Sequence, residues 1–113
     1  HNVRARNDTL LVVLIDSFVG SAGESFVRYL RQLDNVVLMG TNTGGRMLTG
    51  NMGVCLLPSS KLEVWCCTKI GLGEDLSNHD GRGYMPDFWV RPEEALDRAV
   101  KYIQAVQAGA ANR

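Results

Sequence analysis

Apolar side chains run without a break from Leu10 to Ile15, and with Thr9 the stretch is rich in branched residues. Such a run marks a strand covered on both faces of a parallel sheet. Asp16 to Gly20 breaks the pattern, and the period then changes. Ala22, Phe26, Val27, Leu30 and Leu33 fall on one helical face, with Glu24, Arg28, Arg31 and Gln32 opposite. Asp34-Asn35 ends this predicted helix, and Val36 to Met39 supplies the next short strand. Strand, helix and strand within so short a span predict a right-handed βαβ unit.

Gly40 to Gly50 carries four glycines and three threonines, a loop with unusual backbone freedom. Met52 to Leu57 and Leu62 to Ile70 read as two strands joined by Pro58-Ser59-Ser60-Lys61, an antiparallel hairpin. Gly71 to Tyr84 is polar and long enough to be a functional loop. After Pro86-Asp87, Phe88 to Val90 is a short extended piece. Pro92 opens the final helix, where Glu93 and Glu94 suit the positive end of the dipole. Ala95, Leu96, Ala99, Val100, Ile103 and Val106 form its apolar stripe, and Ala108 to Arg113 is expected to fray.

The 113 residues predict a single α/β domain over 1–113, with no internal repeat. Twelve basic and twelve acidic side chains are scattered along the chain, so nothing points to nucleic acid. The longest apolar run is too short to span a membrane. Cys55, Cys66 and Cys67 make neither a disulfide framework nor a zinc pattern. They are expected to be structural, with one of the adjacent pair a small core residue. No residue pattern calls for a metal or a cofactor.

Ser21 is the candidate for chemistry. Ser21-Ala22-Gly23-Glu24 satisfies the capping-box pattern, and a cap is worth about 0.5–2 kcal/mol. A serine at a helix start also lies beside unsatisfied N–H groups that can stabilise an oxyanion. Gly20 and Gly23 keep the approach uncrowded. No base stands nearby in sequence, and position 19 is valine rather than the first glycine of a hydrolase elbow.

The stretch VVLIDSFVGSAGESF, followed by VVLMGTNTGGR, resembles the carboxy-terminal processing peptidases, or tail-specific proteases. The similarity continues through LLPSSKLEVWCCTKI and closes with DGRGYMPDFWVRPEEALDRAVKYI. It therefore covers nearly the whole chain in order. The resemblance implies the C-terminal portion of a serine peptidase core with a crotonase-like (ClpP-like) βα superhelix, here partial. Within that frame Ser21 is the nucleophile, the Ala22 N–H an oxyanion donor, and the substrate a peptide or protein. Many family members work outside the bacterial cytoplasm, so the resemblance favours the bacterial envelope.

Two departures shape the expectation. In the tail-specific branch a lysine twenty-five residues beyond the serine acts as base, and that position here is Arg46. A guanidinium cannot take the serine's proton. Arg46 is instead a candidate to bind a substrate carboxylate, with Gly44 and Gly45 beside it as substrate-binding positions. The Thr43-Gly44-Gly45 sequence is closer to the tricorn-like branch, which orients a histidine base with a glutamate. Asp80 is the carboxylate nearest that glutamate's place, and Asp80-Gly81 also has the composition of a plain turn. The resemblance gives His79 no role, and the branch's histidine belongs to an upstream region this chain lacks. The base is therefore expected from a missing N-terminal part or another chain, and the chain alone is expected to be inactive. The alternative is a catalytically inactive, peptide- or ligand-binding relative of the same fold.

Overall fold

The computed structural model describes residues 9–71 and 77–111. Strand β1 (Leu11–Ile15), helix α1 (Ala22–Leu30) and strand β2 (Val36–Gly40) form the predicted βαβ unit. The two strands pair in parallel, with Val13 opposite Leu38 and Ile15 opposite Gly40. Strands β3 (Thr49–Leu56) and β4 (Glu63–Ile70) form a separate antiparallel hairpin. Strand β5 (Phe88–Trp89) adds to β2 in parallel, giving the order β1-β2-β5, and α2 (Pro92–Ala111) closes the chain.

The core lies between α1 and the sheet. Ile15, Val27, Leu38 and Tyr84 are buried together, with Val13, Val19 and Val36 packed against them. Alternation sends Met39 and Leu14 to the opposite face, where α2 lies along β1 and β2. Cover there is uneven: Met39 is 3% exposed and Leu14 40%. The expectation of a β1 strand buried on both faces is therefore corrected, since α2 presents mainly the small side chains Ala95 and Ala99 to the sheet. Leu96, Val100 and Val106 of its predicted stripe are exposed. The helix runs to Ala111, and the last two positions of the stretch expected to fray, Asn112 and Arg113, lie outside the described residues.

Asp87 fastens β5 to the sheet. Its carboxylate accepts the Leu38 N–H at 2.8 Å, and its own N–H donates to the Leu38 carbonyl at 2.8 Å. The hairpin, by contrast, packs mainly on itself and gives the molecule extents of 73 × 39 × 19 Å. A compact domain of this length has a radius of gyration of about 13 Å, against 18.7 Å here. All three cysteines lie on this arm and are exposed free thiols. The expected core placement of a cysteine is thus wrong, because no described element covers either face of the hairpin.

Candidate active site

Ser21 closes the turn between β1 and α1 with φ 49° and ψ −113°. An ordinary N-cap residue has β-region dihedrals. Ser21 instead occupies a region left mostly to glycine, at a cost of about 1–3 kcal/mol. The capping pair with Glu24 is present but lopsided. The Ser21 N–H donates to the Glu24 carboxylate at 3.2 Å, whereas the serine hydroxyl makes no cap hydrogen bond of full geometry. The hydroxyl still faces the N3 backbone as the loose half of a capping box.

Glu24 is the centre of the arrangement. It is 0% exposed, although the helical period assigns it to the solvent side. Its Oε1 accepts from the Thr43 hydroxyl at 2.6 Å and from the Gly45 N–H at 2.7 Å. Its Oε2 accepts from the Ser21 N–H and from the Arg46 N–H at 2.7 Å. A carboxylate offers about four lone-pair sites, so its accepting capacity is filled. Burial of this charge is compensated by donors drawn from both sides of the site. Sequence reading placed Glu24 as a capping partner at the family's spacing from Ser21 and used Thr43 only as a branch marker, with no site role for either. The available signal was a glutamate three residues past the serine and a donor-rich Thr-Gly-Gly loop.

The loop after β2 is locked from behind as well. Thr43 Oγ1 accepts the Tyr84 N–H at 2.7 Å, and the Thr43 N–H donates to the Tyr84 carbonyl at 3.1 Å. The Gly81 N–H donates to the Gly45 carbonyl at 2.8 Å. Gly45 has φ +65°, and a Cβ there would stand 2.7–2.8 Å from the backbone nitrogens of Gly81, Arg82 and Gly83. Two backbones can pass this closely only where side chains are absent.

Ser21, Ala22 and Arg46 line one cavity of about 450 Å³, together with Ser25, Arg28 and Lys69. The Ala22 N–H belongs to the first helical turn, whose donors have no intrahelical partner. The Arg46 side chain lies across Gly20, where an added Cβ would meet its Cδ at 3.4 Å. Gly44 and Gly45 do not line this cavity. Their N–H groups are taken by the Val19 carbonyl at 2.7 Å and by Glu24, respectively. Asp80 is exposed and also lies outside the lining. Its N–H is held by Asn78 Oδ1 at 2.8 Å, the geometry of a turn.

His79 belongs to a different cavity of about 1000 Å³ between α1 and residues 77–85. Its Nε2 is 2.8 Å from Ser77 Oγ, and its ring rests on Tyr84 at 4.4 Å. Among the described residues no group of three His, Cys, Asp or Glu side chains is placed to hold a metal ion. No described helix is long and apolar enough to cross a membrane.

The parallel β1-β2-β5 sheet, with an exposed serine on the turn between β1 and α1, defines an α/β domain. The model of peptidase family S41 matches residues 2–55, and the chain is related to that family of C-terminal processing peptidases. Among solved structures, mature CPAF complexed with lactacystin shares the fold, with a TM-score of 0.59 and 18% identity. The likeness covers 96% of this chain and 22% of that one, so the chain spans about a fifth of CPAF's length. No curated protein matches the sequence significantly.

Proposed function

We propose that the chain is the C-terminal portion of a serine peptidase core with a crotonase-like βα superhelix. In this reading Ser21 Oγ attacks a peptide carbonyl, and the Ala22 N–H stabilises the oxyanion. A base outside the described residues takes the serine's proton and returns it to the leaving amine. Water then releases the acyl group from Ser21. The resemblance would have Asp80 orient that base, but its exposed turn outside the Ser21 cavity gives that role no support.

The observation that carries this reading is the backbone of Ser21, φ 49° and ψ −113°, with a hydroxyl free of a full cap bond. A strained non-glycine residue persists where its side chain has a use that glycine cannot supply. Glu24 adds support, because it spends a buried carboxylate on fixing the Ser21 and Arg46 backbones to each other.

The test is phosphonylation of the full-length protein by a small fluorophosphonate, read by peptide mass spectrometry. Modification at Ser21 is the expected outcome. A folded protein that leaves Ser21 unmodified overturns the peptidase reading and favours the inactive, ligand-binding relative.

A further inference from the structure

Phe18 and Trp89 are the two most exposed aromatic side chains among the described residues, at 88% and 68%. Both line one cavity of about 580 Å³, and they reach it from the two outer strands of the sheet. Ile15, Gly40 and Trp89 stand in register at the carboxyl ends of β1, β2 and β5. Phe18 follows Ile15 by three residues, and Thr41, Asn42 and Gly44 beyond the middle strand contribute to the same lining. In open parallel sheets, ligands bind outside the carboxyl ends of the strands.

Each ring is mounted on fixed backbone. The Phe18 N–H donates to Asp16 Oδ1 at 2.9 Å and the Val19 N–H to the Asp16 carbonyl at 3.1 Å, closing the turn that carries Phe18. Trp89 is held from both sides. Asp87 accepts the Leu38 N–H at 2.8 Å, and the Val90 N–H donates to the Gly40 carbonyl at 2.8 Å. A guest therefore meets main chain that is already ordered, which lowers the cost of binding.

The cavity is continuous with the Ser21 site. Arg46 lines both cavities, and Phe18 precedes Ser21 by three residues on the same turn. A peptide held at Ser21 can lay a neighbouring side chain here. Two exposed rings in a concave site favour an apolar guest, because covering them removes apolar surface from water. A flat ring gains most, since offset or edge-to-face contacts add to the area buried.

We propose that Phe18 and Trp89 form a subsite for an aromatic side chain of the substrate peptide. The inference rests on the reading of the Ser21 cavity as the substrate site.

The test measures binding of short fluorescent peptides to the full-length protein by anisotropy. An alanine-rich host carries one phenylalanine, moved along it position by position. At one position phenylalanine is expected to strengthen binding about tenfold over alanine, and to exceed cyclohexylalanine there. Phe18→Ala and Trp89→Ala should each abolish most of that preference, with circular dichroism checking the fold. Trp89→Phe should retain it, and Trp65→Ala on the hairpin should leave it unchanged.

Equal binding of phenylalanine and alanine at every position overturns the proposal, and is the result expected if other polypeptide fills the cavity. Cyclohexylalanine binding as tightly as phenylalanine overturns the selection of a ring, and a preference that survives both alanine variants overturns the assignment to these residues. Fluorophosphonate labelling separates the two readings. Ser21 modified with no ring preference sinks the aromatic subsite alone. Ring preference with Ser21 unmodified sinks the nucleophile and leaves the subsite standing.

Discussion

Glu24 Oε2 accepts the Arg46 N–H at 2.7 Å, so the residue twenty-five positions beyond Ser21 is bound to the serine's helix through main chain. The same oxygen holds the Ser21 N–H at 3.2 Å. One buried carboxylate therefore sets the spacing between the elbow and the loop opposite, whatever side chain position 46 carries. Arg46 can depart from the lysine expected of the tail-specific branch without loosening the backbone beneath it.

Replacing Glu24 tests this. Glu24→Gln puts an amide NH₂ where an oxygen now accepts two donors, and Glu24→Ala strands all four. We expect each to lower stability by about 3 kcal/mol, because buried donors lose a charged acceptor. Thr43→Val removes one bond on each side of the hydroxyl and should cost about 1–2 kcal/mol. Urea denaturation reads all three, and a Glu24→Ala protein as stable as the parent would remove Glu24 from its central role.

Ser21 substitutions separate strain from capping. Relieving the elbow with Ser21→Gly recovers about 1–3 kcal/mol, less about 0.4–1 kcal/mol for the freer unfolded chain. The net expectation is a gain of about 1 kcal/mol, with fluorophosphonate labelling lost. Ser21→Ala keeps the strain and should shift stability by less than about 0.5 kcal/mol. If Ser21 served only as a helix cap, alanine would instead cost about 1 kcal/mol.

Gly45 and Gly81 both have positive φ, yet their surroundings differ. A Cβ at Gly45 meets three backbone nitrogens at 2.7–2.8 Å, whereas nothing lies within 4 Å of one at Gly81. Gly81→Ala should cost only the left-handed penalty, about 1–2 kcal/mol. Gly45→Ala should cost clearly more, since residues 81–83 must move and take the Tyr84–Thr43 bonds with them. Equal melting temperatures for the two variants would contradict the close backbone passage.

The parallel strands were legible because β1 and β2 are short apolar runs flanking an amphipathic helix, and the turn chemistry of residues 58–61 announced the hairpin. Glu24 was not. A helical period assigns a lone carboxylate to solvent, and only the donors of Thr43, Gly45 and Arg46, about twenty residues away, make its burial tolerable. Lys69 was equally hidden, since nothing local to β4 tells which loop its end will meet. Alternation along a hairpin shows two faces but not whether anything covers them, and among the described residues neither is covered.

That last point yields a prediction for the cysteines. Cys55 and Cys66 lie on one face of the hairpin by alternation, and Cys67 lies on the other, with its Sγ 3.5 Å from Met52 Sδ. Buried thiols are inert to alkylation, and exposed ones react through their thiolate. Iodoacetamide applied to the native 113-residue chain should therefore modify all three cysteines without denaturant. In the full-length protein, any of the three that becomes resistant marks the face of the arm covered by the remaining polypeptide. Protection of Cys67 alone would put that cover on the face shared with Met52, Val54 and Trp65, and protection of Cys55 and Cys66 on the other. Resistance of all three in the native 113-residue chain would mean that the hairpin folds back onto the sheet rather than projecting from it.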